Sequence, residues 1–432
     1  MNMKKTCLVL ALAVVGCAPS MSRLDQRAKD EFKRGNFAGA TMALDPVDPA
    51  IAGKDRLLFC MERGIIHHTA GQYQQSNGYL LEAKERTKDL QPIRTGEEVA
   101  TFLLNENAAE YKGEDYERLL ILAYVSMNCA LMGDLENARA VCGEIEVEMQ
   151  RINDIRQKDF ATAKPGNDPQ AQQWCNKHAE LWQARMVEYA HLNAFATYLS
   201  GILYEAIGEV GNAYIFYKRA YAIEPGFPYL TEDLLRTSKI AYPEEFEQWK
   251  RQFGREDAAV DWKQMGEVVV IFQTGLAPRK IPARDFPYVA AMQPMPGGTQ
   301  FGQVYVNGQP HDRTYPLNNI EAQAVITLQE QDAAVRVKRI AALLVKHGVA
   351  EAVRQENEAA GVLLHIFAEV SEQPDLRFWE TLPRELQIAR VALPPGTYNL
   401  TIEPVGSGGT MRCDNVIVKP GGHVFVTLRT VW

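Results

Sequence analysis

A chain of 432 residues with 46% apolar and 23% charged side chains has ample material for two or three packed domains. Its formal charge of -8 sets 54 acidic against 46 basic residues, and no block of like charge stands out. That balance excludes a basic nucleic-acid surface and a polybasic membrane contact.

At the start, Lys4 and Lys5 precede an apolar run from Cys7 that closes on Val14-Val15-Gly16-Cys17. The run is too short to span a bilayer and fits the apolar core of a secretory signal over residues 1–16. Small residues before a cysteine resemble the lipobox of bacterial lipoproteins. In that family the peptidase cuts before the cysteine, whose sulfur carries diacylglycerol and whose amine is then acylated. Several acyl chains anchor stably, at about 0.8 kcal/mol per buried CH₂. The resemblance makes Cys17 the lipidation site, and Ala18 in place of Asp implies the outer membrane. Cys60, Cys129, Cys142, Cys175 and Cys413 remain, without a C-x-x-C or Cys/His metal spacing.

From Asp25 to about Ala258 the apolar spacing is helical and repeats, which sets a helical domain over 17–258. Turn glycines punctuate it at Gly35, Gly71, Gly133 and Gly208. Small residues fall in register beside the first three: Ala28 and Ala40, Gly64 and Ala83, and Ala138 with Cys129 and Cys142. The clearest unit is 193–226. Gly201, Tyr204 and Gly208 mark its first helix, Ala213, Tyr217 and Ala220 its second, and Pro225 its stop. This unit resembles a tetratricopeptide (TPR) repeat, with small residues where antiparallel helices approach to about 8–10 Å. One unit cannot bury its own apolar face, so five or six helix pairs are expected in a curved stack.

Further helices are expected at Glu97–Glu110, Leu135–Phe160 and Ala171–Leu192, with a loop at Lys164–Pro169. The register puts His68, Met127, Phe195, Tyr198, Ile202 and Glu205 on the concave side, the expected groove for a protein partner. An inner face packed on the stack's own long helices is the competing expectation. Cys129 and Cys142 face each other across one unit, an offset that would allow a disulfide in an oxidising compartment.

After Trp262 the period changes to two, and the chain is rich in Val, Gly and Pro. Strands are expected at Glu267–Gln273, around an Asn307-Gly308 turn, at Leu386–Val391, Gly396–Ile402, Asn415–Lys419 and Val424–Leu428. A helical insert interrupts at 331–358. Pro394-Pro-Gly-Thr-Tyr-Asn-Leu and the strands after it resemble small immunoglobulin-like or PEGA-type sandwiches. The expected fold class is therefore α+β multidomain, with a TPR-like helical solenoid followed by a β-rich domain over 262–432.

Several stretches together resemble an uncharacterised family of bacterial TPR-containing outer-membrane lipoproteins. They are the lipobox, Tyr111-Lys-Gly-Glu-Asp-Tyr-Glu117, Gly133-Asp134, Gln273–Pro278, and Pro374–Arg384 with Ala389–Gly396. The motif residues are Tyr111, Gly113, Tyr116, Glu117, Asp375, Arg377, Trp379 and Pro383. Membership implies a lipid-anchored, non-enzymatic protein of the outer membrane, facing the periplasm. By their own chemistry, the acids after Tyr111 cap a helix, Asp375 and Arg377 form a pair, and Trp379 anchors a core.

No G-x-S-x-G, P-loop, H-E-x-x-H or EF-hand loop occurs, so no cofactor or metal is expected. His67 and His68 point about 100° apart on a helix, and His178 and His191 lie too far apart to cooperate. The expected role is an envelope scaffold or adaptor that binds a protein partner. The alternative is an accessory protein for peptidoglycan or surface-polysaccharide assembly that binds glycan.

Overall fold

The computed structural model describes residues 25–44, 53–90, 110–162, 193–256, 264–284, 290–328 and 374–432. The signal segment with Cys17, the helices expected at 97–109 and 171–192, the 164–169 loop, Cys175, His178, His191 and the 331–358 insert lie outside them. Helices occupy the N-terminal part and strands the C-terminal part.

The helices come in antiparallel pairs: α1 (Gln26–Lys33) with α2 (Phe37–Met42), α3 (Arg56–Thr69) with α4 (Tyr73–Asp89), and α5 (Asp115–Leu131) with α6 (Leu135–Thr162). They continue as α7 (Ala194–Ala206) with α8 (Val210–Ile223), and α9 (Leu230–Ala241) with α10 (Pro243–Phe253). The first four turns share one chemistry. Gly35, Gly71, Gly133 and Gly208 take φ of 78°, 76°, 77° and 85°. At each, the glycine N–H and the next N–H reach back to carbonyls three and five residues earlier, as in Gly208 to Glu205 and Glu209 to Tyr204, both 2.9 Å. This pair of bonds satisfies the last carbonyls of the first helix, and only glycine takes the left-handed turn without strain.

Close approach fixes the glycines inside the helices. A Cβ on Gly64 would lie 2.4 Å from Leu80, and one on Gly201 would lie 2.6 Å from the Tyr217 ring. Asn193 caps α7 by accepting the Ala196 N–H at 2.9 Å.

Among the described residues ten strands follow, forming two four-stranded sheets and a hairpin. The first sheet has the order β10 (His423–Arg429), β1 (Gly266–Thr274), β7 (Glu385–Leu393), β6 (Tyr315–Asn319). The second runs β5 (Gln309–Arg313), β4 (Phe301–Val306), β8 (Gly396–Val405), β9 (Met411–Val418). β2 (Arg279–Pro282) and β3 (Ala290–Gln293) pair separately. The Asn307-Gly308 turn has positive φ at both residues, as the tight β4–β5 hairpin requires.

Strand β1 shows how the layers are stacked. Val268, Val270 and Phe272 join Val304, Leu400, Ile402 and Val416 in the core between the two sheets. Val269 and Ile271, on the other face, join the helical core with Ile388 and Phe425. The first sheet is therefore a middle layer, with helices on one side and the second sheet on the other. This is why β1 reads as an unbroken apolar run rather than an alternating one.

Two turn-glycine and crossing-glycine roles separate in a mutant cycle. Gly208→Ala has open space around it and should cost about 1–2 kcal/mol from backbone strain alone. Gly201→Ala should clash with Tyr217 and be partly relieved by Tyr217→Leu, giving a coupling of about 0.5–3 kcal/mol in thermal or urea unfolding. Gly208→Ala with Tyr217→Leu should be additive.

Candidate functional site

The concave face of the helical stack is not an open groove. His68, Met127, Phe195, Tyr198 and Ile202 are fully buried, and the Glu205 side chain is 12% exposed. The middle sheet fills the space that was expected to receive a partner, so the expectation that these six residues form a free binding surface is corrected. Among the described residues it is the β domain that occupies the inner face.

Strand parity explains the seam. Side chains on one face of β1 are Glu267, Val269, Ile271 and Gln273; beside them stand His423, Phe425, Thr427 and Arg429 of β10, in register. Leu386, Ile388 and Arg390 of β7 share that face. Apolar residues fill its centre and polar ones its two ends, about 20 Å apart along the strand.

At the β1 C-terminal end, buried amides and one histidine join helices to sheet. With Nδ1 protonated, His68 donates to Asn128 Oδ1 at 2.6 Å and its Nε2 accepts from Gln273 Nε2 at 2.8 Å. Gln273 Oε1 accepts from Tyr124 Oη at 2.8 Å, and its amide also donates to Thr427 at 3.0 Å. Asn128 continues the network to Ser76 and Asn77 at 2.9 and 2.8 Å. Burial pushes the His68 pKa down to about 4, so the ring is neutral.

At the other end sits Arg390. It donates to both Glu267 oxygens at 2.5 and 2.7 Å, to Tyr198 Oη at 3.0 Å, and to Asp233. Tyr198 donates to Asp233 at 2.5 Å, Arg236 pairs with Asp233 at 2.6 Å and with Glu205, and Tyr217 donates to Glu205 at 2.7 Å. Burial raises Asp233 against the pull of Arg390. Burial alone would raise Glu267 as well, but the Arg390 fork outweighs it and holds the carboxyl low.

The two motif stretches, more than 250 residues apart in the chain, meet at a third point. Glu117 Oε2 accepts the Tyr111 hydroxyl at 2.7 Å and the Glu114 N–H at 2.8 Å, capping α5 by reaching back from its third position. Gly113 turns the chain there with φ of 72°. Lys280 of β2 pairs with Glu114 at 3.2 Å. Arg377 forks onto Asp375 at 2.9 and 2.8 Å, reaches Asp55 at 2.8 Å, and lies 5.4 Å over the Tyr111 ring. Trp379 is fully buried with its ring 6.4 Å from Tyr124. Tyr116 is buried too, and Pro383 leads into β7.

Glu62 of α3 carries no signal in the sequence, because an acid among apolar neighbours looks like a helix surface position. It grips the motif turn from below: Glu380 N–H at 3.0 Å, Thr381 N–H at 3.2 Å and the Thr381 hydroxyl at 2.5 Å, with Lys29 at 3.2 Å. Arg390 and Gln273 carried a signal in their parity: each shares a strand face with apolar residues that must be buried.

Cys129 and Cys142 are separate thiols, which corrects the disulfide. The Cys129 sulfur accepts from Asn77 Nδ2 at 3.4 Å, and Cys142 donates to the Ala138 carbonyl at 3.3 Å.

Glu117 makes the seam pH-dependent. Burial, reinforced by Glu114, raises its pKa from 4.5 to about 7, and its second oxygen finds no donor among the described residues. A raised folded-state pKa means its contribution is complete below about 4.5 and is lost as pH climbs through 7. Glu117→Gln should therefore match wild type near pH 4 and be more stable at pH 8, by on the order of 3 kcal/mol. Melting curves from pH 4 to 8 check this; parallel profiles for the two proteins would refute it.

No family model matches the chain, and no curated protein matches it. Among solved structures it is similar to the TPR2AB domain of yeast Sti1 in its pHSP90 complex. The identity is 11%, the TM-score 0.21, and the match covers 53% of this chain and 86% of that one. The resemblance to outer-membrane lipoproteins thus rests on the motif stretches alone.

Proposed function

We propose that the protein is a non-enzymatic scaffold or adaptor of the cell envelope, anchored by lipid on Cys17 in the outer membrane and facing the periplasm. The observation that supports this reading is the commitment of the seam's chemistry. The buried acids, bases and tyrosines beside the motif stretches are bonded to one another across the helix–sheet junction, as in the Arg390 and Glu62 clusters. Groups held in this way fix one part of a chain against another and are poorly placed to reach a substrate.

With the inner face filled, partner contact falls to the outer surface. Two shallow grooves of about 220 and 370 Å³ flank α8 there, one lined by Glu146, Met149, Phe216 and Arg219, the other by Tyr214, Ile215, Tyr242 and Glu245. A protein segment is the partner of this reading, and no nucleic acid enters it.

Cys17→Ser should abolish palmitate labelling and move the protein from the membrane to the soluble fraction. Wild type that takes no label, or a variant that still floats with membranes, would remove the anchor from the reading. The purified mature chain should stay in the supernatant with peptidoglycan sacculi, and cross-linking in intact cells should join it to an envelope protein. Co-sedimentation with sacculi and no cross-linked protein would transfer the role to glycan binding.

A further inference from the structure

We propose that the end of the molecule formed by α1, α2 and Trp432 is a membrane-contact surface, seated at the boundary between lipid headgroups and acyl chains. The inference rests on Cys17 as the lipid site. Its own support is where the chain emerges and what is exposed there.

Asp25, the first described residue, is fully buried and held by the Arg63 fork at 2.9 and 2.8 Å. Only seven residues lie between it and Cys17, and the eight steps from Cα to Cα span at most about 28 Å. α1 then runs about 12 Å to the turn at Gly35. Trp432 stands against that turn, 3.9 Å from where a Gly35 Cβ would lie. An N-terminus anchored at Cys17 therefore limits the distance of this end of the molecule from the bilayer to at most roughly 40 Å.

The surface presented there suits lipid. Trp432 is 47% exposed and Met42, one short helix beyond the turn, is 88% exposed among the described residues. The Trp432 backbone is fixed: Thr299 Oγ1 donates to its carbonyl at 2.8 Å, and its N–H donates to Thr430 Oγ1 at 3.2 Å. An indole carried on that fixed backbone, with an apolar ring and one N–H donor, matches the chemistry of the interfacial layer. Met42 adds a flexible apolar side chain.

Charge neither drives nor forbids the contact. Arg27 and Arg34 lie seven residues apart on the exposed face of α1, with Asp30 and Glu31 between them, and Arg34 pairs with Glu31 at 2.8 Å. Lys33 is taken by Glu380 at 2.9 Å. The driving force is apolar, and the patch is small. The lipid tether makes a weak contact effective, because it holds the patch at a high local concentration beside the bilayer.

The test uses the lipidated full chain and its Trp432→Phe variant, reconstituted in phosphatidylethanolamine–phosphatidylglycerol vesicles with plain or brominated acyl chains. Emission attributed to Trp432, taken as wild type minus variant, should fall by roughly half or more on brominated lipid. Met42→Ser should reduce that quenching while the circular dichroism spectrum stays unchanged. Equal quenching of wild type and Trp432→Phe, both floating with vesicles, would overturn the membrane-contact surface and leave the anchor intact. A blue shift of Trp432 without quenching would assign the patch to a protein neighbour and overturn it as well. Failure of the wild type to float would overturn the anchor and this inference with it.

Discussion

A strand buried on both faces must satisfy two sets of neighbours at once, and β1 is held in that position by helices on one side and a second sheet on the other. Its even-numbered residues Val268, Val270 and Phe272 commit the sandwich, and its odd-numbered residues commit the helical stack. A shift of one residue would exchange the two sets and point Glu267 and Gln273 into the apolar core between the sheets. The rest of the architecture follows from that constraint. β7 and β10 flank β1, so the residues that pair with it in register inherit the same division of faces.

Burying ions at the ends of this face is costly in itself. Desolvating Arg390, Glu267 and Asp233 offsets much of their mutual attraction, and an apolar replacement of similar shape is often no less stable. Removing one partner is a different matter: an uncompensated buried charge typically costs about 3–5 kcal/mol. The cluster therefore contributes little to stability when complete and penalises every misplacement heavily. That asymmetry suits a joint whose geometry matters more than its strength.

The chain's local chemistry was legible where local rules govern it. Gly35, Gly71, Gly133 and Gly208 announced the turns, Gly201 the crossing, and Asn307-Gly308 the hairpin, because each depends on backbone sterics within a few residues. The β1 run and strands β7 to β10 were legible from their apolar content. β6 was not: Pro316 interrupts its alternation, and it sits at a sheet edge with a register shift, where proline is tolerated. The helical register put His68 and Tyr198 on one face, but periodicity reports a face and never its occupant. Gln273 and Arg390, which occupy it, are 205 and 192 residues away. The Tyr111 and Asp375 stretches were visible as motifs, and their meeting across the seam was not.

Three separate points hold the two parts of the chain. Arg390 binds α7 and α9, Gln273 binds α3 and α5, and the Glu380–Thr381 turn is seized by Glu62. Two contacts about 13 Å apart along β1, with Arg390 of β7 level with Val269, would still allow rotation about the line joining them. The third lies in a loop outside that strand, where Arg377 also reaches Asp55, and it removes the remaining freedom. Lys29 on α1 shares Glu62 with that turn, and Arg63, the next residue, holds Asp25. The same helix segment thus fixes both the sandwich and the start of α1. The chain ahead of Asp25 consequently enters a body whose sandwich is already oriented.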